Sequence, residues 1–489
     1  MGSVIKNNTI IISNPISNKV IDKINITSDE KIDEIIQRSK NYDKWSSLSI
    51  NERCKKITIF RKEIVKNKDE ILKIIVQETG KKEFDAFIEL FTVLEHCREI
   101  TKIAKKSLRS KSRSTGLLKN KKAYVQYEPL GIAGIISPWN FPLVTPFTAS
   151  IDALLAGNNV ILKPSEHTPL TSMYMKKLWD SKVGYNDAWN IVYGSGQVGE
   201  VIVNSKYIDI ISFTGSTKVG KKIAKKCSEV LKPVILELGG KDPMIILEDA
   251  NIDRAIKAAI FGGLYNAGQA CISVEEIYIE NSIFNKFSDC IKQKVSNMSA
   301  GENSSDDIGA IITKENYNKI NMHLDEISED EKISGSVSTQ GMFIAPTIVT
   351  NAGDNTKIIN EETFGPVISL RSFENEIDLI EKIHKTGYGL AGSIFGKNKK
   401  RIHRIISKIK TGNISINDVF THYGITSLPF GGEGNSGLGR LHGKEGLRSF
   451  SRVKSIVENK YTFFDEPWWF NRKKSMEKFL SKAISFYKW

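Results

Sequence analysis

The sequence predicts an α/β chain with two doubly wound parallel-sheet domains. From Gly131 onward, short apolar runs alternate with helical patterns, and the alternation starts afresh after Gly240. At 489 residues the chain is also too long for one ordinary core. In the first round, Ile132 to Ile136 and Asn159 to Leu162 read as strands, with helices over Val144 to Ala156 and Thr171 to Trp179. In the second, strands over Met244 to Leu247 and Glu276 to Ile279 flank a helix over Asp253 to Ala267. The glycines of Leu238-Gly239-Gly240 supply a hinge, so one domain is expected over 1–110 and 130–239 and the other over 240–450.

Ahead of the sheets, residues 29–110 read as amphipathic helices. Ile57, Phe60 and Ile64 recur at three- and four-residue spacing with Arg61, Lys62 and Glu63 between them, the pattern of a helical layer on a sheet. Basic, serine-rich Lys105 to Lys122 then leads into the alternating Ala123 to Tyr127, a strand signal. In the last stretch, 461–489, Met476, Phe479, Leu480, Ala483, Ile484 and Tyr487 form one stripe after Pro467-Trp468-Trp469-Phe470. Lys473, Lys474, Lys478, Lys482 and Lys488 fall largely on other faces. Such a basic amphipathic helix suits an anionic membrane surface, and equally suits docking on its own or a neighbouring subunit.

Composition, 40% hydrophobic and 26% charged, is that of a soluble globular protein. The net charge of +14 comes with lysine abundant throughout, so no nucleic-acid partner is expected. Five cysteines, an odd count without Cys-x-x-Cys spacing, speak against a disulfide framework and a zinc site and for a reducing compartment. The seven histidines show no ligand spacing, so no metal is expected. No run approaches the roughly 20 apolar residues of a membrane span. The N-terminus lacks a signal-length apolar run, and Lys6 stands where a myristoylation signal has Ser or Thr. The expected location is cytoplasmic, free or membrane-peripheral.

Cys271 lies in Gly268-Gln269-Ala270-Cys271-Ile272-Ser273, and Glu237 in Leu236-Glu237-Leu238-Gly239-Gly240-Lys241. A thiol in a small-residue turn and a carboxylate on another segment are the nucleophile and base that a covalent acyl intermediate needs. Asn140, in Pro138-Trp139-Asn140-Phe141-Pro142, adds an amide of the kind that stabilises an oxyanion. Apolar Val234-Ile235-Leu236 ahead of Glu237 should desolvate it and raise its pKa; the alternative is an ion pair with Lys241 across the hinge. Cys54, Cys97, Cys227 and Cys290 read as structural.

Together with Lys-Pro-Ser-Glu (163–166), Phe-Thr-Gly-Ser-Thr (213–217), Glu-Glu-Thr-Phe-Gly-Pro (361–366) and Pro-Phe-Gly-Gly (429–432), these segments resemble the aldehyde dehydrogenase superfamily, in the family's order. The resemblance implies a Rossmann-like cofactor domain, a catalytic domain and a small β oligomerisation element from 111–129 and 451–460, hence a homodimer or homotetramer. It implies aldehyde oxidation with NAD, NADP being also open, through a thiohemiacetal and a thioester on Cys271. Asn140 would steady the oxyanion and Glu237 would activate the hydrolytic water. Ser216 is implied at the phosphates, Glu362 at the nicotinamide ribose and Phe364 against the ring, with Trp139 and Ser165 among the other cofactor contacts.

The residues themselves make sense of a cofactor there. The strand-like Ile208 to Phe213 enters Thr214-Gly215-Ser216-Thr217-Lys218-Val219-Gly220, with a helix expected from near Lys221. A turn with Gly215 and Gly220 between strand and helix presents donors to a pyrophosphate. Lys163 and Glu166 follow a strand's carboxyl end within reach of ribose hydroxyls, where a carboxylate repels a 2′-phosphate and favours NAD. Ser436 to Leu447 looks like the long-chain and carotenoid-type branch rather than the betaine or semialdehyde branches, with Leu441-His442 following Gly439-Arg440 where many relatives place Glu directly after Gly-Arg. Phe141, Val144 and Phe147 suit either an apolar substrate funnel or core packing. A CoA-acylating relative and a non-catalytic membrane-associated binding protein are the alternatives.

Overall fold

A computed structural model describes residues 2–463, 466, 468–470 and 474–485. The chain forms two compact units, one of 1–108 with 128–452 and one of 109–127 with 453–489.

The first unit opens with a three-stranded antiparallel meander, Val4–Lys6, Thr9–Ser13 and Val20–Asn25, which the sequence pattern does not announce. Four helices follow: Asp29–Lys40, Ile50–Lys66, Lys68–Thr79 and Glu83–Ser107. Their starts are set by local chemistry, as at Ser49, whose side chain accepts from Glu52 N while the Glu52 carboxylate accepts from Ser49 N.

Two parallel sheets then form in turn. The first has the spatial order 437–438, 234–237, 210–214, 132–136, 159–163, 189–191, parallel throughout except for its antiparallel edge Gly437–Leu438. The second runs 332–334, 347–350, 367–373, 274–280, 242–246, 393–395, 415–416, again with one antiparallel edge, Lys332–Ser334. Strands such as Ile132–Ile136 and Asp242–Ile246 are buried at every residue, as sheets covered on both faces require. The span 240–450 is not confined to the second sheet. Gly437 pairs with Glu237, and Leu447 and Phe450 pack into the core of the first.

That core is aromatic. Phe147 meets Trp189 at 5.1 Å between ring centroids, and Trp189 meets Trp179 at 5.5 Å. Phe147 is therefore core, as is Val144 at 5% exposure, which leaves Phe141 alone of the three funnel candidates partly exposed. Helical spacing cannot tell a cavity-facing residue from a core-facing one.

In the second unit, strands at 451–459, 121–129 and 111–113 lie side by side in that order. Lys121 pairs with Glu466, and Lys460 Nζ donates to Lys119 O at 2.9 Å. The helix Lys474–Ile484 is exposed along nearly all its described length, with Phe479 at 64% and Ile484 at 70%. Pro467, Lys473, Tyr487, Lys488 and the Ala483 side chain lie outside the described residues. Among the described residues, no helix is long and apolar enough to cross a membrane.

Candidate active site

The thiol is delivered by a strained turn. Helix Ile252–Leu264 stops three residues short of the expected Ala267, because Asn266 and Ala267 adopt left-handed backbone at φ 53° and 54°. Such residues cost on the order of 1–3 kcal/mol each and persist only where their surroundings hold them. Here Asn266 Nδ2 donates to Gln269 O at 3.2 Å and to Asn140 O at 3.1 Å. The Gln269 side chain donates to Asn266 O and Ala310 O and accepts from Ile312 N. Gly268, at φ 71°, is needed as well, since a Cβ there would sit 2.0 Å from Gly365 O.

Glu237 ends a strand of the first sheet, and Cys271 precedes a strand of the second. Burial pushes the Glu237 carboxyl well above its ordinary range, against the pull of the Arg440 charge. Neither of its oxygens has a hydrogen-bond partner among the described residues. Lys241 does not hold it; Lys241 Nζ lies 2.8 Å from Glu275, which also accepts from Thr363 N and Phe364 N. The hinge glycines have another use than rotation. Neither Gly239 nor Gly240 is left-handed, and a Cβ on Gly240 would lie 2.4 Å from the Cys271 carbonyl.

Cys271 keeps part of its surface open, yet its thiol is pushed far above its usual range by burial and then by the charges of Asp242, Glu237 and Glu362. Asn140 is buried at 3% exposure; its Nδ2 donates one hydrogen to Gln269 O at 2.9 Å, which leaves the second free for a substrate oxygen. Cys54, Cys97 and Cys227 are buried, with Cys54 pushed up to about 11 by burial and Cys97 to about 12.

One cavity of about 800 Å³ takes in Cys271, Glu237 and Asn140. Trp139, Glu362, Phe364, Gly215, Ser216, Lys163, Ser165 and Glu166 line the same cavity. Trp139 and Phe364 meet edge to face at 5.5 Å, and Phe364 holds φ 57° with its N–H on Glu275 at 2.8 Å. Glu362 Oε1 accepts from Gly240 N at 3.0 Å, and burial pushes its pKa up to about 7. Lys163 Nζ lies 3.3 Å from Glu166. Burial alone would raise Glu166, but Lys163 and hydrogen bonding hold it below its ordinary value.

Gly220 does not line this cavity. The helix starts at Thr217 rather than near Lys221, because Ser216 caps it by accepting from Val219 N, so Gly220 falls within the helix. There a Cβ would strike Leu238 at 2.4 Å, and glycine lets helix and strand pack. A cavity with a helix N-terminus, a buried lysine and two aromatic rings fits an extended dinucleotide.

Fold and cavity together define an α/β protein with two parallel sheets and a cysteine, Cys271, in the wall of a deep cavity. The model of the Aldehyde dehydrogenase family matches residues 4–456, and the chain belongs to that family. Its relatives include a 4,4'-diapolycopene aldehyde oxidase of Methylomonas sp, 31% identical over 94% of this chain and 88% of the relative. A betaine aldehyde dehydrogenase of Vibrio vulnificus is 30% identical over 93% and 95%. Among solved structures, betaine aldehyde dehydrogenase of Staphylococcus aureus in complex with NAD+ is similar with TM-score 0.88, at 29% identity, covering 95% of this chain and 94% of that one.

Several side chains at the site escaped the sequence reading. Lys81, Glu89, Asn266, Gln269 and Glu275 hold other groups rather than face the cavity, and no spacing pattern connects them. The one local signal was Glu275-Glu276 beside the apolar Ile277-Tyr278-Ile279 of a strand, since carboxyls are rarely buried without a partner. Tyr423 was missed too; it packs with Cys271 against Phe430, at 4.7 Å between rings.

Proposed function

We propose that this aldehyde dehydrogenase oxidises a medium- to long-chain apolar aldehyde to the carboxylic acid with NAD, by way of a thiohemiacetal and a thioester on Cys271. The observation that carries the reading is that Cys271, Glu237 and Asn140 line one cavity with the cofactor candidates. Sulfur bonds to the aldehyde carbon while the carbonyl π pair moves to oxygen and the thiol proton leaves to solvent. The free Asn140 N–H and the Cys271 backbone N–H face the developing oxyanion. When bound, NAD, held by Trp139, Ser216, Glu362 and Phe364, would supply the hydride acceptor for this oxidation. Glu237 then takes a proton from water as its oxygen adds to the thioester carbon, and the C–S bond breaks to release acid and thiolate. Leu441, where many relatives place Glu, has a hydrocarbon side chain and offers no second base.

The apolar preference rests on what surrounds the thiol. Ile272, Leu390, Ala391 and Phe430 pack around Cys271, and Phe141, Tyr265, Phe261 and Phe420 form a connected series of rings. One relative acts on a diapolycopene aldehyde, while others are betaine and succinate-semialdehyde dehydrogenases, so chain length is the property to measure. NAD is favoured over NADP by the Glu166 carboxylate in the cavity wall. NADH formation from decanal that vanishes in Cys271→Ala, with free acid and no CoA requirement, supports the reading. Acyl-CoA as the only product would replace it with the acylating mechanism.

Two further readings concern the second unit. Exposed Val453 and Val457 on the strand at the margin of its sheet support pairing with another copy, as homodimer or homotetramer, which light scattering reads directly. The exposed Trp469, Phe470, Phe479 and Ile484 beside Lys474, Lys478 and Lys482 support peripheral contact with an anionic membrane. Truncation after Glu466 is expected to abolish liposome co-sedimentation and spare short-aldehyde oxidation; unchanged sedimentation would refute the contact.

A further inference from the structure

Lys81 and Glu89 form an ion pair of 2.9 Å at 1% and 0% side-chain exposure, and neither lines the cavity. Burying two charges is expensive and often brings no net stability, so such a pair asks for another explanation. Its hydrogen bonds supply one. Lys81 Nζ also donates to Asn140 O at 3.0 Å and lies 4.6 Å over the ring of Phe141, the next residue. Glu89 Oε1 accepts from Leu143 N at 2.7 Å and Val144 N at 3.0 Å, where the helix after Asn140 begins. The stretch 140–144 is thus gripped at its carbonyl end and its amide end by two oppositely charged groups that also grip each other.

The same carbonyl receives a second donor. Asn266 Nδ2 donates to Asn140 O at 3.1 Å and to Gln269 O at 3.2 Å, and Gln269 O is also where the Asn140 side chain donates at 2.9 Å. The oxyanion loop and the loop carrying Cys271 are therefore fixed to one another around two carbonyl oxygens, with the lysine charge at the hub.

We propose that Lys81 is a positioning residue for the Asn140 amide. Glu89 and Asn266 complete the clamp, which aims the free amide hydrogen at the substrate oxygen above Cys271. This rests on reading Asn140 as the oxyanion donor. A displacement of about 1 Å in such a group costs up to about a hundredfold in rate. None of the three clamp residues lines the cavity.

Lys81→Met alone would strand Glu89 as a buried unpaired charge, so the first variant is Lys81→Met/Glu89→Gln, which keeps an acceptor for Leu143 and Val144. The second is Asn266→Ala, which leaves the ion pair intact and removes the other donor to the same carbonyl. Each is measured alone and combined with Asn140→Ala, with kcat and the KM for NAD read separately on decanal. The expected result is a kcat lowered about ten- to a hundredfold at unchanged KM for NAD, with no further loss once Asn140 is Ala. A purely structural role would give losses that multiply with that of Asn140→Ala, or a raised KM for NAD, and either would overturn the proposal. If Asn140→Ala itself leaves kcat unchanged, the oxyanion reading fails first and the clamp with it. Should the double variant not fold, Asn266→Ala decides alone by the same cycle.

Discussion

Glu237→Gln is expected to stabilise the protein while disabling it. In the fold, burial favours the protonated carboxyl, whereas the unfolded chain ionises near the ordinary 4.5. Above that value the native state holds a proton that the unfolded state has released, so unfolding free energy falls as pH rises. The slope is about 1.4 kcal/mol per pH unit until the native group ionises. Glutamine has nothing to ionise and removes this loss without opening a cavity. Denaturant midpoints of the two proteins, followed from about pH 5 to about pH 7, should therefore diverge in favour of the variant as pH rises. Catalysis moves the other way. The first NADH burst persists while steady turnover falls by about a hundred- to ten-thousandfold, the range for loss of a general base. Parallel pH profiles of stability would refute the burial, and steady turnover equal to wild type would refute the assigned role.

Asn140→Ala should lower kcat about a hundred- to a thousandfold with little change in the KM for NAD, read by stopped-flow NADH absorbance. Glu166→Gln removes the carboxylate beside Lys163 and should lower the KM for NADP more than that for NAD, compared at fixed aldehyde. Lys241→Met leaves Glu275 buried and unpaired beneath the Glu362-to-Phe364 loop, so a loss of about 3–5 kcal/mol is expected by urea titration. Lys241→Met/Glu275→Gln should recover much of it.

The sheets were legible because strands buried on both faces read as continuous apolar runs, and Ile132–Ile136 and Asn159–Lys163 lie where those runs fall. The meander at Val4–Asn25 was not, because two of its strands are largely exposed and carry no alternation to detect. The turn at Asn266 and Ala267 was hidden for a different reason. The helical period runs on through it, and its left-handed backbone answers to Asn140, far away in sequence. Cys271, Glu237 and Asn140 were legible as candidates from residue type and neighbours, and the structure brings them to one cavity. Their supports were not: a lysine beneath a peptide carbonyl has no signature until the chain is folded. Likewise, Lys241 was a reasonable partner for Glu237 in sequence, but the strand carrying Glu275 passes closer and takes the charge.

The measurement that bears most directly on the account is mass spectrometry of the Glu237→Gln enzyme quenched after its burst with decanal and NAD. A decanoyl group on the peptide containing Cys271, at close to one per site, is what the geometry predicts. An unmodified Cys271 with undiminished NADH release, or acylation of another cysteine, would contradict it.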